Sequence, residues 1–366
     1  MRFRLLLLPL LFVSISAPTL SAASNFSLRN RSDSMMPKHY PSVSFNGFAQ
    51  LDYTKSFGAL TGDITTGGTA LKSDFHIGVM QMGAQVHFSE KTHVTFNGGF
   101  SGNFNLRDFY VTYEALPYLT VQVGQMALPF NIDNQYCPSY APTIAAGSIV
   151  TAYFTGWDDT NPLSGPQGGR DIGLMITGSL PESDLIHYRV GLFNGEGWNA
   201  PDLNPQKTLS GSLSLKPVKY LELSGTFYSG RATAVGDGLF ETNGDRILRG
   251  ESYQKNRWSG GIHYQSPSWS LLAEYTAGSD EEEQSDGFYL MGKTTVAAGL
   301  ELIGTLSHLR LNYGAPEGPF RKGKVEAGVA YWFSHRSRLQ AEYNLTYLPG
   351  TDFRSHAIVT MLQVGF

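Results

Sequence analysis

From Val43 onward, apolar and polar residues alternate along the chain in segments of about ten residues. In the first segment Val43, Phe45 and Leu51 fall on one face. Ser44 and Asp52 fall on the other face. Because successive side chains of a strand point to opposite sides, a period of two predicts a β-strand with one apolar face. Helical spacing is almost absent, so the pattern predicts an all-β protein.

Sixteen segments carry this alternation. They cover roughly residues 43–54, 75–88, 91–102, 107–115, 119–127, 170–180, 185–194, 207–216, 219–229, 257–265, 268–277, 287–297, 299–311, 323–334, 337–348 and 356–366. Connections after even-numbered segments are short, and most of the others are long and rich in Gly, Pro, Asp and Asn. An even strand count with turns at one edge and loops at the other is typical of bacterial outer-membrane barrels. We therefore predict that residues 42–366 form a 16-stranded antiparallel transmembrane β-barrel with short periplasmic turns, long extracellular loops and a constricting third long loop, residues 128–169.

Charge divides between the two faces of these segments. A charged side chain facing lipid near the bilayer midplane costs about 2–4 kcal/mol, whereas one facing a watery lumen costs little. Taking the apolar parity as outward, we find no charged residue on that face. In segment 299–311 this choice leaves Leu309 and Leu311 facing inward, so hydrophobicity alone does not decide its register. The inward positions carry nine acidic and six basic residues, namely Asp52, Asp108, Glu114, Asp171, Glu222, Glu274, Glu301, Glu326, Glu342, Arg189, Lys216, Arg257, Lys293, Lys324 and Arg338.

Two further features are typical of outer-membrane barrels. Outward aromatic residues lie near strand ends, where interfacial girdles are expected: Tyr53, Phe88, Tyr113, Trp258, Trp269, Tyr275, Phe288 and Phe333. The last segment is amphipathic and ends on Phe366. This ending resembles the assembly signal of outer-membrane barrels.

The N-terminal region predicts export. Residues 1–23 contain Arg2 and Arg4, an apolar stretch and a small-residue cleavage site, which together indicate a secretory signal peptide. Residues 24–41, with Pro37 and Pro41, are interpreted as an N-terminal tether. Cleavage takes the net charge from −4 to −6, which excludes the basic footprint of a nucleic-acid-binding protein. The single cysteine excludes an intramolecular disulfide.

The loop 128–169 is the candidate functional segment. Sixteen strands enclose a lumen too wide for side chains to fill, which leaves an aqueous channel. At 42 residues this loop is too long for a simple connector. We expect it to fold inward, with a short helix within 143–154; an external loop is the alternative. The candidates to line a constriction are Asn131, Asp133, Tyr153, Trp157, Asp158, Asp159 and Arg170.

Three stretches resemble the phosphate-selective porin O and P family: LRDFYVTYEALPYLTVQVGQMALPF (106–130), GRDIGLMITG from Gly169 and YRVGLFNGEG from Tyr188. The resemblance covers nearly all of the mature chain. It implies a homotrimer, passive diffusion and, in the best-known members, anion selectivity from Lys and Arg at the constriction. Here the loop 128–169 has no Lys or Arg and three aspartates, so we expect cation preference or weak selectivity instead. Four inward bases could form a basic stripe or pair with neighbouring glutamates: Arg189, Arg257, Lys293 and Arg338.

The sequence thus predicts a porin in the Gram-negative outer membrane, passing small hydrophilic or ionic solutes and contacting outer-membrane lipid. The sequence signatures of serine hydrolases, zinc proteases and phosphate-binding loops are missing, and we predict no enzyme activity, cofactor or metal site. Residues 280–286 are interpreted as a solvated acidic loop tip, with divalent-cation binding as the alternative. Two other functions stay open: a hydrolase with an active site at the barrel rim, and an adhesin-like barrel with a closed lumen.

Overall fold

The computed structural model describes residues 39–58, 73–145, 147–157, 161, 163–180, 184–239, 246–311 and 319–366. The predicted signal peptide, residues 1–23, lies outside the described residues, as does the predicted tether up to residue 38. Asp158 and Asp159 of the predicted constriction also lie outside them. Among the described residues, no helix combines the length and hydrophobicity that crossing a membrane requires.

Sixteen strands close into one antiparallel barrel, and this confirms the predicted fold. Strands adjacent in sequence pair with each other throughout, and β1 pairs with β16 to close the ring. The strands are β1 (Ser42–Gly58), β2 (Ser73–His87), β3 (Thr92–Gly99), β4 (Asn105–Leu116), β5 (Leu119–Ala127), β6 (Arg170–Ser179), β7 (Ile186–Phe193), β8 (Thr208–Val218), β9 (Leu221–Thr233), β10 (Ser252–Gln265), β11 (Trp269–Asp280), β12 (Glu283–Ala297), β13 (Leu300–Leu311), β14 (Phe320–Trp332), β15 (Arg338–Tyr347) and β16 (Arg354–Gly365). A small hairpin of Gly238–Leu239 and Arg246–Ile247 extends the connection between β9 and β10.

Exposure alternates along the strands in the register that hydrophobicity predicts. Leu51 is 56% exposed on the outer face, whereas its neighbour Asp52 is 6% exposed and faces inward. In β13, Leu302 is exposed while Leu309 and Leu311 are buried inside the barrel. The register chosen for β13 is therefore confirmed, although it directs two leucines into the lumen.

Two β-bulges change the parity in ways the sequence does not reveal. In β2, Ala49 pairs with Met80 but Leu51 pairs with Ile77, so β2 carries an extra residue. In β4, Asp108 pairs with Asn97, and the next pair skips Arg107. Because a bulge leaves one residue unpaired and turns its side chain, Arg107 is buried inside the barrel beside Asp108.

The prediction that the outer face carries no charge is wrong at the edge with long loops, which we call the loop edge. Arg310 has the outward parity of β13, and its side chain is 51% exposed. Five strands also run further towards the loop edge than predicted, which adds Lys55, Arg231, Asp286, Arg321 and Arg354 to the outer face. At this edge a charge costs only about 0–1 kcal/mol, because the membrane interface is hydrated.

The acidic tip at 280–286 also differs from its prediction. Strands β11 and β12 continue to Asp280 and Glu283, so only Glu281 and Glu282 connect them. Asp280 and Glu283 are each 3% exposed and face inward, so they are not solvated. The carboxylate of Asp280 instead lies 2.6 Å from the guanidinium of Arg257.

Candidate pore and constriction loop

The loop 128–169 crosses the interior of the barrel. It leaves β5 and reaches β15 and β16, where Gln363 Nε2 donates to the carbonyl of Ser139 at 2.9 Å. Gln340 Nε2 donates to the carbonyl of Pro142 at 2.7 Å, and the amide of Ile144 donates to Glu342 Oε1 at 3.0 Å. The loop is thereby attached to β15 and β16 from inside. The expectation that this loop folds inward is confirmed.

The first turn of the loop is held by the carboxylate of Glu274 on β11. Its Oε1 accepts from the amide of Ile132 at 2.7 Å, and its Oε2 accepts from the amide of Asp133 at 3.2 Å. Ser259 donates to the same carboxylate at 2.7 Å. Because buried amides need partners, a single inward glutamate fixes the point at which the loop meets the wall.

Asn131 and Asp133 bind other parts of the loop and are almost completely buried. The amide of Ser148 donates to Asp133 Oδ2 at 2.7 Å, and the Thr151 hydroxyl lies 2.7 Å from the same oxygen. Asn131 Nδ2 donates to the hydroxyl of Thr276 on β11 at 2.9 Å. Burial raises the pKa of Asp133 above its usual value, although its hydrogen bonds act in the opposite direction. These two residues therefore position the loop and do not present their side chains to a solute.

A short helix, α1 (Ile149–Thr155), forms within the loop. Ser148 caps it by accepting a hydrogen bond from the amide of Thr151, and it ends at Gly156, whose φ of 67° is left-handed. The helix begins later than the predicted 143–154 segment, because the residues before Ser148 extend towards β15. Capping and the glycine stop therefore set both of its ends.

Helix α1 packs against the inward leucines of β13. Val150, Tyr153 and Phe154 form one buried apolar cluster with Leu309 and Leu311. This packing explains why β13 directs apolar side chains into an otherwise polar lumen. Tyr153 is 2% exposed, so it anchors the helix and does not line open space.

Two arginines lie close to the ring of Trp157, just after α1. The guanidinium carbons of Arg107 and Arg170 are each 5.3 Å from the centroid of its ring. Its Nε1 donates to Asn134 at 2.9 Å, and Arg170 Nε also lies 2.8 Å from Asp108 Oδ1. The sequence suggested Trp157 and Arg170 but missed Arg107, because only the bulge in β4 turns that residue inward.

Most charged residues of the predicted lumen wall have partners. Arg257 pairs with Asp280 at 2.6 Å, Lys293 with Glu301 at 2.9 Å, and Lys324 with Glu326 at 2.6 Å. Thus two of the four bases considered for a stripe, Arg257 and Lys293, form ion pairs.

The contacts of the other two bases of that set include the loop and an aromatic ring. Arg189 Nη2 donates to Gln135 Oε1 in the loop at 2.8 Å. The guanidinium of Arg338 lies 4.8 Å from the ring of Trp332. The structure therefore does not align the four bases in one stripe of free charge.

The remaining acids of the predicted wall have varied surroundings. Asp171 Oδ1 accepts from the amide of Ile172 and its Oδ2 from the amide of Gly195, both at 2.7 Å. Asp52 lies 3.7 Å from His76. Glu222 accepts from Ser224 at 3.2 Å, and Glu114 is exposed near the turn between β4 and β5.

The loop connects charged residues on opposite sides of the barrel. Arg170 and Arg189 lie on β6 and β7, whereas Glu326 and Glu342 lie on β14 and β15. In a ring of sixteen strands, β6 is eight strands from β14, and β7 is eight strands from β15. The loop joins the two walls, since it contacts Arg189 through Gln135 and Glu342 through Ile144. The loop therefore spans the lumen from β7 to β15.

Structural comparisons place this barrel among outer-membrane proteins, although the sequence matches no protein-family model and no curated protein. The chain is similar to in-vitro folded OmpT of Vibrio cholerae in its trimer form, with a TM-score of 0.62 at 13% identity over 89% of this chain and 99% of that one. It is similar to OprB of Pseudomonas putida, with a TM-score of 0.63 at 12% identity over 88% of this chain and 94% of that one. It is also similar to the outer membrane channel DcaP of Acinetobacter baumannii, with a TM-score of 0.60 at 12% identity over 91% of this chain and 99% of that one. The chain thus has the fold of outer-membrane porins and channels.

Proposed function

We propose that this protein is an outer-membrane porin that passes small hydrophilic or ionic solutes by passive diffusion, without catalysis or a cofactor. The observation that carries this proposal is the loop 128–169, whose backbone is hydrogen-bonded to Glu274 on one wall and to Gln340, Glu342 and Gln363 on another. A lumen formed by sixteen strands is wide enough to hold water. A loop fixed at several points across it makes a constriction of constant size, which is what selection by solute size requires.

The proposed constriction is the space beside the loop, with Trp157, Arg107 and Arg170 at its border. Asn131, Asp133 and Tyr153 contribute by holding the loop in place. Asp158 and Asp159, which lie outside the described residues, are proposed to add negative charge there. We propose weak selectivity that favours cations, because the acids outnumber the bases and yet many of both signs are paired.

A relation to the phosphate-selective porin O and P family is part of the proposal. It rests on the three stretches at 106–130, from Gly169 and from Tyr188. Phosphate selectivity is left out of it, because the loop 128–169 contains no Lys or Arg.

We further propose that residues 1–23 are removed on export, that 24–41 tether the barrel, and that the mature protein forms a homotrimer in the Gram-negative outer membrane. The basic signal sequence supports export. The trimer form of the structurally similar OmpT supports the assembly.

Single-channel recording of the detergent-folded protein in a planar bilayer tests the proposal. We expect stepwise conductance and, under a salt gradient, a small reversal potential on the cation side. Block by added phosphate together with an anion-side potential would refute the selectivity proposed here. A folded protein without conductance would refute the porin and favour a hydrolase at the rim or an adhesin-like barrel.

A further inference from the structure

Two arginines face each other on the outer wall of the barrel at the loop edge. Arg310 and Arg321 are directly paired across β13 and β14. Both have the outward parity of their strands, which they share with exposed Leu302 on β13 and exposed Val329 on β14. Their side chains therefore project away from the lumen, side by side.

Such a pairing is unfavourable unless something neutralises it, because like charges directly opposite each other destabilise a sheet. Asp286 on β12 compensates one of the two, since its Oδ1 lies 2.5 Å from Arg310 Nε. Its other oxygen accepts from the hydroxyl of Tyr275 at 3.2 Å. Arg321 makes no hydrogen bond or ion pair with any residue that the structure describes. One guanidinium and part of the other thus remain available to an anion.

The surroundings favour an amphiphilic anion. Below the pair, the outward positions of β13 and β14 contain no Asp, Glu, Lys or Arg: His308, Leu306, Gly304, Leu302, Gly323, Val325, Ala327 and Val329. Further along the same edge, Lys55 adds positive charge to the outer face. A soluble anion needs no apolar wall beneath its site. A lipid with an anionic headgroup matches both the arginine pair and the apolar wall below it.

We propose that Arg310 and Arg321 bind the phosphate group of a phosphorylated lipid in the extracellular leaflet, with its acyl chains along the apolar wall of β13 and β14. Guanidinium groups present planar pairs of donors that match phosphate oxygens, and basic residues at a membrane surface attract anionic lipids. This inference rests on the proposed outer-membrane location, but not on conduction through the pore.

Native mass spectrometry of the detergent-solubilised full protein, with dioleoyl phosphatidic acid as the probe, tests this site. The probe carries a phosphomonoester on two acyl chains. Replacing both arginines (R310Q/R321Q) should reduce the retained lipid by about tenfold, since two charge-assisted hydrogen-bonding groups are lost. Asp286→Asn should increase retention, because it frees Arg310 Nε. Arg354→Gln is the matched control on the same edge, where the guanidinium already donates to the carbonyls of Thr351 and Phe353.

Each other outcome overturns the proposal. Equal retention by R310Q/R321Q and the wild type would refute the site, as would equal retention of dioleoyl phosphatidylcholine. Displacement of the lipid by millimolar inorganic phosphate would assign the pair to a free anion. A change in subunit number in R310Q/R321Q, with lipid retention intact, would assign it to a contact between copies of the chain. Channel recording separates this proposal from the porin, because lipid retention that depends on the arginines would stand even if the wild type did not conduct.

Discussion

Replacing Glu274 by Ala should release the loop from the barrel wall. The carboxylate accepts hydrogen bonds from the amides of Ile132 and Asp133, and Ala would leave both amides buried without a partner. Each unsatisfied buried group costs about 1–3 kcal/mol. The attached state of the loop should therefore be destabilised by about 2–6 kcal/mol relative to the released state. At the lower limit the released population increases about 30-fold, since 1.4 kcal/mol corresponds to a factor of ten.

Glu274→Gln is the matched control. Its side-chain oxygen can still accept from Ile132, whereas its NH₂ group cannot accept from Asp133. The expected order of loop release is therefore wild type, then the Gln variant, then the Ala variant. The barrel strands keep their pairing in all three proteins, because the backbone of Glu274 pairs normally with Gly261 and Tyr289.

Two assays follow loop release in these variants. Single-channel recording should show higher mean conductance and more current noise in E274A. Limited chymotrypsin digestion should cleave within 128–169 more rapidly, because the loop offers aromatic residues but no Lys or Arg for trypsin. If E274A matched the wild type in conductance, noise and cleavage rate, the carboxylate would not hold the loop, and the relief of burying a charge would outweigh the two lost hydrogen bonds.

Three further perturbations test the packing and electrostatics of the interior. Leu309→Ala should destabilise the packing of α1 against β13 by about 2–5 kcal/mol and increase current noise. Leu302→Ala, on the outer face of the same strand, should leave the noise unchanged. Arg257→Gln should destabilise the barrel by about 3–5 kcal/mol in denaturant unfolding, because it leaves the carboxylate of Asp280 buried without its partner. Burial raises the pKa of Asp133 when the loop is attached to the wall. Asp133 therefore contributes fully to loop attachment below pH 3.8, the pKa of a solvated aspartate, and this contribution is lost as pH rises through the raised pKa of the attached state. Current noise should therefore increase as pH rises above about 4, and Asp133→Asn should reduce that dependence. The same slope in the Asn variant would exclude Asp133 as a source.

The strands were predictable because each one has a lipid-facing side, and the alternation that follows is visible in the sequence. The ends of the strands at the loop edge could not be predicted, because polar residues there can either pair in a strand or enter a loop. Asp280 and Glu283 illustrate this: they resemble a solvated tip in the sequence, but they extend a hairpin and face inward. Arg310 was misassigned for a related reason, because a charge at the outer end of a strand lies above the apolar core of the membrane.

The path of the loop could not be predicted from periodicity. It depends on hydrogen bonds between loop amides or carbonyls and single wall residues such as Gln340 and Gln363, and no spacing rule marks such contacts. One signal was present nevertheless. Inward leucines at 309 and 311 have no reason to face water, so they indicated that an apolar segment must cover them from inside the lumen.

The fixed loop also changes how the charge of the pore has to be counted. Nine inward acids against six inward bases favour cations if each charge acts alone. The oxygens of Glu274 and Glu342 accept hydrogen bonds from loop amides, and Arg257, Lys293 and Lys324 lie in ion pairs. A charge with a close partner of opposite sign acts only weakly at a distance, and salt screens the remainder. The field that reaches a solute is therefore weaker than the count of fifteen inward charges implies. Pairing of the wall charges thus reduces the cation preference that the count alone predicts, which is why we expect only a small reversal potential.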